Sequence, residues 1–208
     1  MLTVGNSVAV VEELLGNGLL SCPGCGGRLG GWGHASRRPV FRAGRGQVPV
    51  AVRPRRARCV SCGGTHVLLP AWLLARRCDG TAVIGDMLAR AARGQGFRQI
   101  AAASGVPEGT VRGRLRRFRR SAGRVREFFT RLAGVLALDP VPLDPAGSVL
   151  ADAVVAVAAA VAAARGRWLG MVTVAGWELA AVLTLGSLLS PVVRFARVRD
   201  GLVPSALA

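Results

Sequence analysis

Val106-Pro107-Glu108-Gly109-Thr110-Val111-Arg112-Gly113-Arg114-Leu115-Arg116-Arg117-Phe118 reads as the opening of a helix whose two faces differ in kind. Pro107 suits a first-turn position, where its missing N–H costs nothing, and Glu108 complements the positive end of the helix dipole. At roughly 100° per residue, Val111, Leu115 and Phe118 point one way. Arg112, Gly113, Arg116, Arg117 and Arg120 fall on or near the opposite side. The helix is expected to run to about Arg120 or beyond.

Working outward, Ser104-Gly105 supplies a turn in which glycine suits the left-handed conformation. Before it, Phe97, Ile100 and Ala101 line one face of a short helix. Earlier still, Ile84, Leu88 and Ala91 recur at i, i+4 and i+7 after Asp79-Gly80-Thr81, and Gly94 and Gly96 close that helix. Two short helices, a glycine turn and an arginine-faced third helix predict a helix-turn-helix whose last helix enters the major groove of double-stranded DNA.

Further upstream stand two knuckles, Cys22-Pro23-Gly24-Cys25 and Cys59-Val60-Ser61-Cys62. Two residues between cysteines let a tight turn aim both sulfurs at one ion, and two such turns complete a tetrahedral thiolate shell suited to Zn2+. The glycines that follow, Gly26, Gly27, Gly63 and Gly64, permit the positive φ such turns need. Between the knuckles, Arg38 to Phe41 and Gln47 to Val52 are β-prone pieces separated by glycine-rich turns. The expected unit is a zinc ribbon with Cys22, Cys25, Cys59 and Cys62 as ligands. His34 and His66 are expected to be surface or structural groups, and Cys78 a small, partly buried side chain.

The charge map joins the two signals. All 28 cationic side chains are arginine, and residues 21–138 carry a net charge of +19 while the remainder carries −2. A field of that size attracts polyanions and releases counterions when phosphates are neutralised. Codon bias explains arginine in place of lysine but not an excess confined to one segment.

Residues 99–118 resemble the −35-reading helix-turn-helix of extracytoplasmic-function sigma factors, where serine usually stands at the position of Gly113, and are similar to segments in resolvases and transposases. Ribbon followed by helix-turn-helix resembles the N-terminal part of insertion-sequence transposases. Nothing upstream resembles a sigma factor's core-promoter domain. The 70 residues after Leu138 are too few for a ribonuclease-H-like catalytic domain, and the acids there, such as Asp144 and Glu178, lie in alanine-rich helical sequence. The chain has no tyrosine or lysine nucleophile. Binding without catalysis is expected.

In that reading Arg112 and Arg116 contact bases. Arg114, Arg117, Arg119 and Arg120 hold phosphates, with Gln99, Thr110 and Gly113 completing the contact surface. A homodimer on a two-fold site would extend the few base pairs that one motif reads.

The tail holds two apolar runs, Val149 to Ala164 and Trp168 to Ser190. They are expected to pack on each other or on a second subunit. A single membrane span over residues 168–190 is the alternative, opposed by Glu178 in mid-span, which without a partner would cost on the order of 2.5 kcal/mol. That alternative belongs to a membrane-tethered or oligomeric interaction protein, whose ribbon and basic surface bind a protein, RNA or anionic lipid. With no basic start to the N-terminus and Glu12 and Glu13 interrupting its apolar run, a cytoplasmic location is expected. The sequence thus predicts a mainly α chain with a small β unit: an N-terminal segment (1–20), zinc ribbon (21–72), helix-turn-helix domain (79–138) and apolar helical tail (139–208).

Overall fold

The computed structural model describes residues 1–42, 48–167 and 174–196. Among these, the chain is mainly helical with a small mixed sheet. The order is β1 (Leu2–Val4), α1 (Val8–Gly16), β2 (Leu29–His34), β3 (Arg38–Val40), β4 (Val50–Val52), β5 (Arg55–Cys59), β6 (Thr65–Pro70), α2 (Thr81–Ala92), α3 (Phe97–Ser104), α4 (Glu108–Leu136), α5 (Val149–Arg167) and α6 (Gly176–Leu183).

Four strands form one sheet in the order β1-β6-β5-β2, and β3 and β4 form a separate antiparallel pair. The strands β2, β5 and β6 are antiparallel neighbours, whereas β1 runs parallel to β6 with Leu2 opposite Leu68. The N-terminal segment therefore belongs to the sheet. Its helix α1 starts at Ser7, whose Oγ accepts from Val10 N at 3.4 Å, and it buries Val11 and Leu15. These join Val4, Leu20, Leu29, Ala57 and Leu68 in one small core. Glu12 of α1 accepts from Arg55 Nε at 2.7 Å.

Residues 71–80 tie the sheet to the helices. Leu73 and Leu74 are buried, and Gly80 N donates to Phe41 O while Thr81 N donates to Trp72 O. A Cβ at Gly80 would meet Arg42 O at 2.8 Å, so only glycine lets the two backbones come this close.

The helices share a second, larger core. The inward residues read from the sequence are inward in space: Ile84 and Leu88 of α2, Ile100 and Ala101 of α3, and Val111, Leu115 and Phe118 of α4 are all buried. Beyond Phe118, α4 continues along Ala122, Val125, Phe129, Leu132 and Leu136, keeping one apolar stripe over 29 residues. That extension is covered by α5, where Ala153, Ala156, Ala160 and Ala164 are completely buried. Alanines at these positions let the two helix axes approach closely, because the separation is set by the side chains at the contact.

The tail forms the expected apolar helices, with unequal lengths. The first run forms α5, extending to Arg167, while α6 in the second run has only eight residues and is followed by turns. The segment 168–190 is thus not one continuous helix, and its residues 168–173 lie outside the described residues. Among the described residues, α5 is the helix long and apolar enough to cross a membrane, and 44% of its apolar window is buried. Glu178 is not stranded: its Oε2 accepts from Asn6 Nδ2 at 2.8 Å. Asp152 likewise accepts from Ala146 N at 2.7 Å and lies 3.8 Å from Arg126 on α4.

One glycine locks α2 to α6. A Cβ at Gly85 would sit 2.1 Å from the Trp177 ring, and Gly85 is buried in the middle of α2. Gly85→Ala is expected to lower stability by about 1–3 kcal/mol, despite alanine's better helix propensity, because the ring has to move. Denaturant unfolding of the variant and the parent measures this; equal stabilities would mean that α6 does not rest on α2.

Candidate metal centre and basic helix face

The two knuckles are built alike, residue for residue. In the first, Cys22 N donates to Gly27 O at 2.7 Å and Gly26 N donates to Cys22 O at 2.8 Å. In the second, Cys59 N donates to Gly64 O at 2.9 Å and Gly63 N donates to Cys59 O at 3.1 Å. Gly26 and Gly63 take φ values of +76° and +69°, as the turn demands. Gly27 is required for a different reason: a Cβ there would lie 2.3 Å from Ser61 Oγ and 3.1 Å from Cys59 Sγ, so its absence lets the knuckles meet.

Meeting brings all four sulfurs together. Cys22, Cys25, Cys59 and Cys62 have their sulfur atoms within 4.8 Å of one another. Cys22 Sγ is 3.8 Å from Cys62 Sγ, and Cys25 Sγ is 3.5 Å from Cys59 Sγ. A tetrahedron with metal–sulfur bonds of about 2.3 Å has edges of about 3.8 Å, so the thiols already stand at the spacing of a four-thiolate metal site.

The protein favours thiolate at the first cysteine of each knuckle. Backbone N–H groups of Gly24 and Cys25 hold the Cys22 thiol below its ordinary pKa. At Cys59 the N–H of Cys62, aided by Ser61 against the effect of burial, brings it down to about 6. At Cys25 the Gly27 N–H favours the thiolate, but the neighbouring Cys59 and Cys62 sulfurs outweigh it and push the pKa up to about 12. Four thiols this close cannot all ionise without a cation among them. Metal loading would therefore displace protons and weaken as pH falls.

His66 is the neighbour that sequence reasoning set aside. Its Nε2 lies 3.3 Å from Cys22 Sγ, and its Nδ1 is 3.2 Å from the Met1 amino group. Burial and that amino group keep its pKa below the usual imidazole range. Its place two residues after Gly64 on β6 was the available signal. His34 is exposed at the end of β2, and Cys78 is exposed rather than partly buried.

The second candidate surface is the N-terminal half of α4. Gly105 takes φ +66°, ending α3, and Val106 is buried before α4 begins at Glu108. Arg112, Arg116, Arg117, Arg119 and Arg120 are exposed, together with Arg124. Among the described residues none of these six has a carboxylate partner within salt-bridge distance. Thr110 and Gly113 are half-buried beside them. Gln99 is exposed, but its Oε1 accepts from Gly96 N at 3.0 Å and so caps α3, leaving only its amide N–H groups for a partner.

Arg114 requires a correction. It is 3% exposed and ion-paired with Asp79, itself completely buried, and its Nη1 lies 3.8 Å from Met87 Sδ. It cannot hold a phosphate from there. Its role is to join α4 to the segment that enters α2. Arg77 stands in the same neighbourhood and donates from Nη2 to Leu189 O at 2.9 Å. Burial lowers its pKa, and repulsion from Arg117 and Arg114 adds to this.

Comparison with protein-family models, curated proteins and solved structures finds no match. The resemblance to sigma-factor and transposase segments therefore rests on the motif residues alone.

Proposed function

We propose that this chain is a zinc-binding protein that recognises double-stranded DNA by sequence and carries out no catalysis itself, acting as a transcriptional regulator or as the recognition part of a mobile-element system. The observation that carries this reading is the arginine face of α4, which has no carboxylate partner among the described residues, beside a tight glycine turn. A cluster of exposed guanidinium groups without carboxylates attracts polyanions, and a duplex presents a dense row of phosphates.

In this reading α3, the Gly105 turn and α4 are a helix-turn-helix, and the two knuckles with β2, β5 and β6 are a zinc ribbon. Zinc would be held by Cys22, Cys25, Cys59 and Cys62, and when bound it supplies a structural crosslink between the knuckles rather than a reactive centre. Arg112 and Arg116, one turn apart near the start of α4, read base edges. Arg117, Arg119 and Arg120 hold phosphates on either side, and Gln99 and Thr110 sit at the margin. Two copies on a two-fold site would supply enough contacts for specificity. A cytoplasmic protein is the corresponding location.

Arg112→Ala or Arg116→Ala should cost about 1–3 kcal/mol and relax preference at one base position. Arg119→Ala should instead weaken all sequences alike and reduce the dependence on salt. Selection of preferred sites from a random duplex pool, repeated with each variant, separates the two effects; identical site preferences for the parent and R116A would remove the base-reading role.

A further inference from the structure

The sheet carries a second basic surface that the α4 reading leaves unused. Residues 21–78 contain eleven arginines and no acidic residue. On the sheet, Ala57 and Cys59 of β5 face the core, so Arg56 and Arg58 point to the other side. Arg58 stands opposite Gly30 of β2 and Thr65 of β6. Beside it the register of β2 shifts between Gly31 and His34, with Gly33 at φ +76°, and such a bulge re-aims the residue it contains.

That residue is Trp32. The Arg58 guanidinium lies over its ring, 4.8 Å from the centroid, yet Trp32 remains 49% exposed. Among the described residues no carboxylate pairs with Arg58, whose Nε donates only to Gly63 O at 3.3 Å. Ring and guanidinium border a shallow recess of about 410 Å3, lined also by Gly30, Gly31, Cys59, Val60 and Gly63.

Gly30 is informative because packing does not require it. Its backbone is not in the left-handed region, and a Cβ there would meet nothing nearer than Arg58 O at 4.0 Å. A glycine inside a strand leaves room beside the Gly31–His34 bulge for another group to approach the backbone closely. The open recess, the half-covered indole and the uncompensated cations together describe a flat, anion-flanked aromatic ligand.

We propose that this face of the sheet is a separate contact for unpaired nucleic acid, in which a single-stranded base stacks on Trp32 while Arg58 and Arg56 meet its flanking phosphates. Stacking on an aromatic platform inside a basic groove is tolerant of sequence and strongly salt-dependent. It does not depend on α4, which would engage duplex DNA through a different surface.

The test uses the full chain and a short fluorescently labelled single-stranded DNA, followed by anisotropy, with a second oligonucleotide carrying 2-aminopurine to report stacking directly. Trp32→Ala and Gly30→Val are each expected to weaken binding about 5- to 100-fold and to abolish the 2-aminopurine quenching. Trp32→Phe should keep most of both, since a stacking face remains. Because G30V leaves the indole and the cysteines intact, it serves where W32A folds poorly, and metal content checks both variants. At saturating protein, Arg116→Ala should leave the 2-aminopurine quenching as in the parent while Trp32→Ala abolishes it, which separates this contact from the α4 reading. Absence of single-strand binding by the parent protein, equal affinities for the parent, W32A and G30V, or Trp32-dependent binding seen only with phosphatidylserine vesicles would each overturn the proposal.

Discussion

Cys22→Ser or Cys59→Ser, or treatment of the parent protein with a strong chelator, is expected to unfold the sheet while the helices persist. The core beneath the sheet is small, drawing mainly on Val4, Val11, Leu15, Leu20, Leu29, Ala57 and Leu68 together with Cys22 and Cys59 themselves. Cores of this size rarely hold alone, and a structural zinc site contributes apparent folding energy on the order of 10 kcal/mol or more near neutral pH. The helical core, by contrast, is built without a cysteine side chain among its buried residues. Loss of amide dispersion and hydrogen-exchange protection should therefore be confined to residues up to about Pro70, with one equivalent of metal released. A chelated protein that kept its sheet protected would show that the four thiols are not a structural metal centre.

Breaking the buried pair between Asp79 and Arg114 is expected to have the next largest effect. Both side chains are almost wholly out of water, at 0% and 4% exposure. Asp79→Leu takes the buried carboxylate from Arg114 and Arg114→Met takes the buried guanidinium from Asp79, and each should cost about 3–5 kcal/mol. Replacing both together, Asp79→Leu with Arg114→Met, should recover much of that loss because neither buried charge remains. Chemical denaturation of the three variants closes the cycle. Additive losses in the double variant would mean that the two residues stabilise the fold independently. The same experiment separates structure from recognition: the double variant should bind duplex DNA as the parent does, since Arg114 is turned away from the exposed face.

Arg114 also marks where reading the sequence by residue type went astray. On a helical wheel it lies roughly 60° from Val111 and about 40° beyond Phe118, at the edge of the buried stripe and at the same angle as the buried Leu132, so periodicity alone places it at the boundary between the two faces. Its charge suggested phosphate contact, but a buried arginine is tolerable when an acid is delivered to it, and Asp79 arrives from another element. Such a long-range pairing has no local signature. The parallel contact between Leu2–Val4 and Leu68–Pro70 was hidden for the same reason: a three-residue strand offers too little pattern, and its partner lies more than sixty residues away. Where the determinants are local, the sequence was legible. The apolar positions of α2, α3 and the first half of α4, the left-handed Gly105 and the spacing of the four cysteines all depend on residues within a turn or two of each other. The second apolar run was less readable, because a long hydrophobic stretch does not say where Gly176 and Thr184 will begin and end a short helix.

The cationic surface is the part of the chain on which the functional reading depends. The most direct test is the affinity of the full, metal-loaded chain for a DNA duplex measured across a series of salt concentrations, for the parent protein and for Arg117→Ala combined with Arg120→Ala. Duplex binding whose log affinity falls linearly with log salt, with a slope shallower by about 2 in the double variant, is the predicted result. Absence of duplex binding at low salt, or a slope unchanged by removing both arginines, would contradict the assignment of α4 as the DNA-contacting helix.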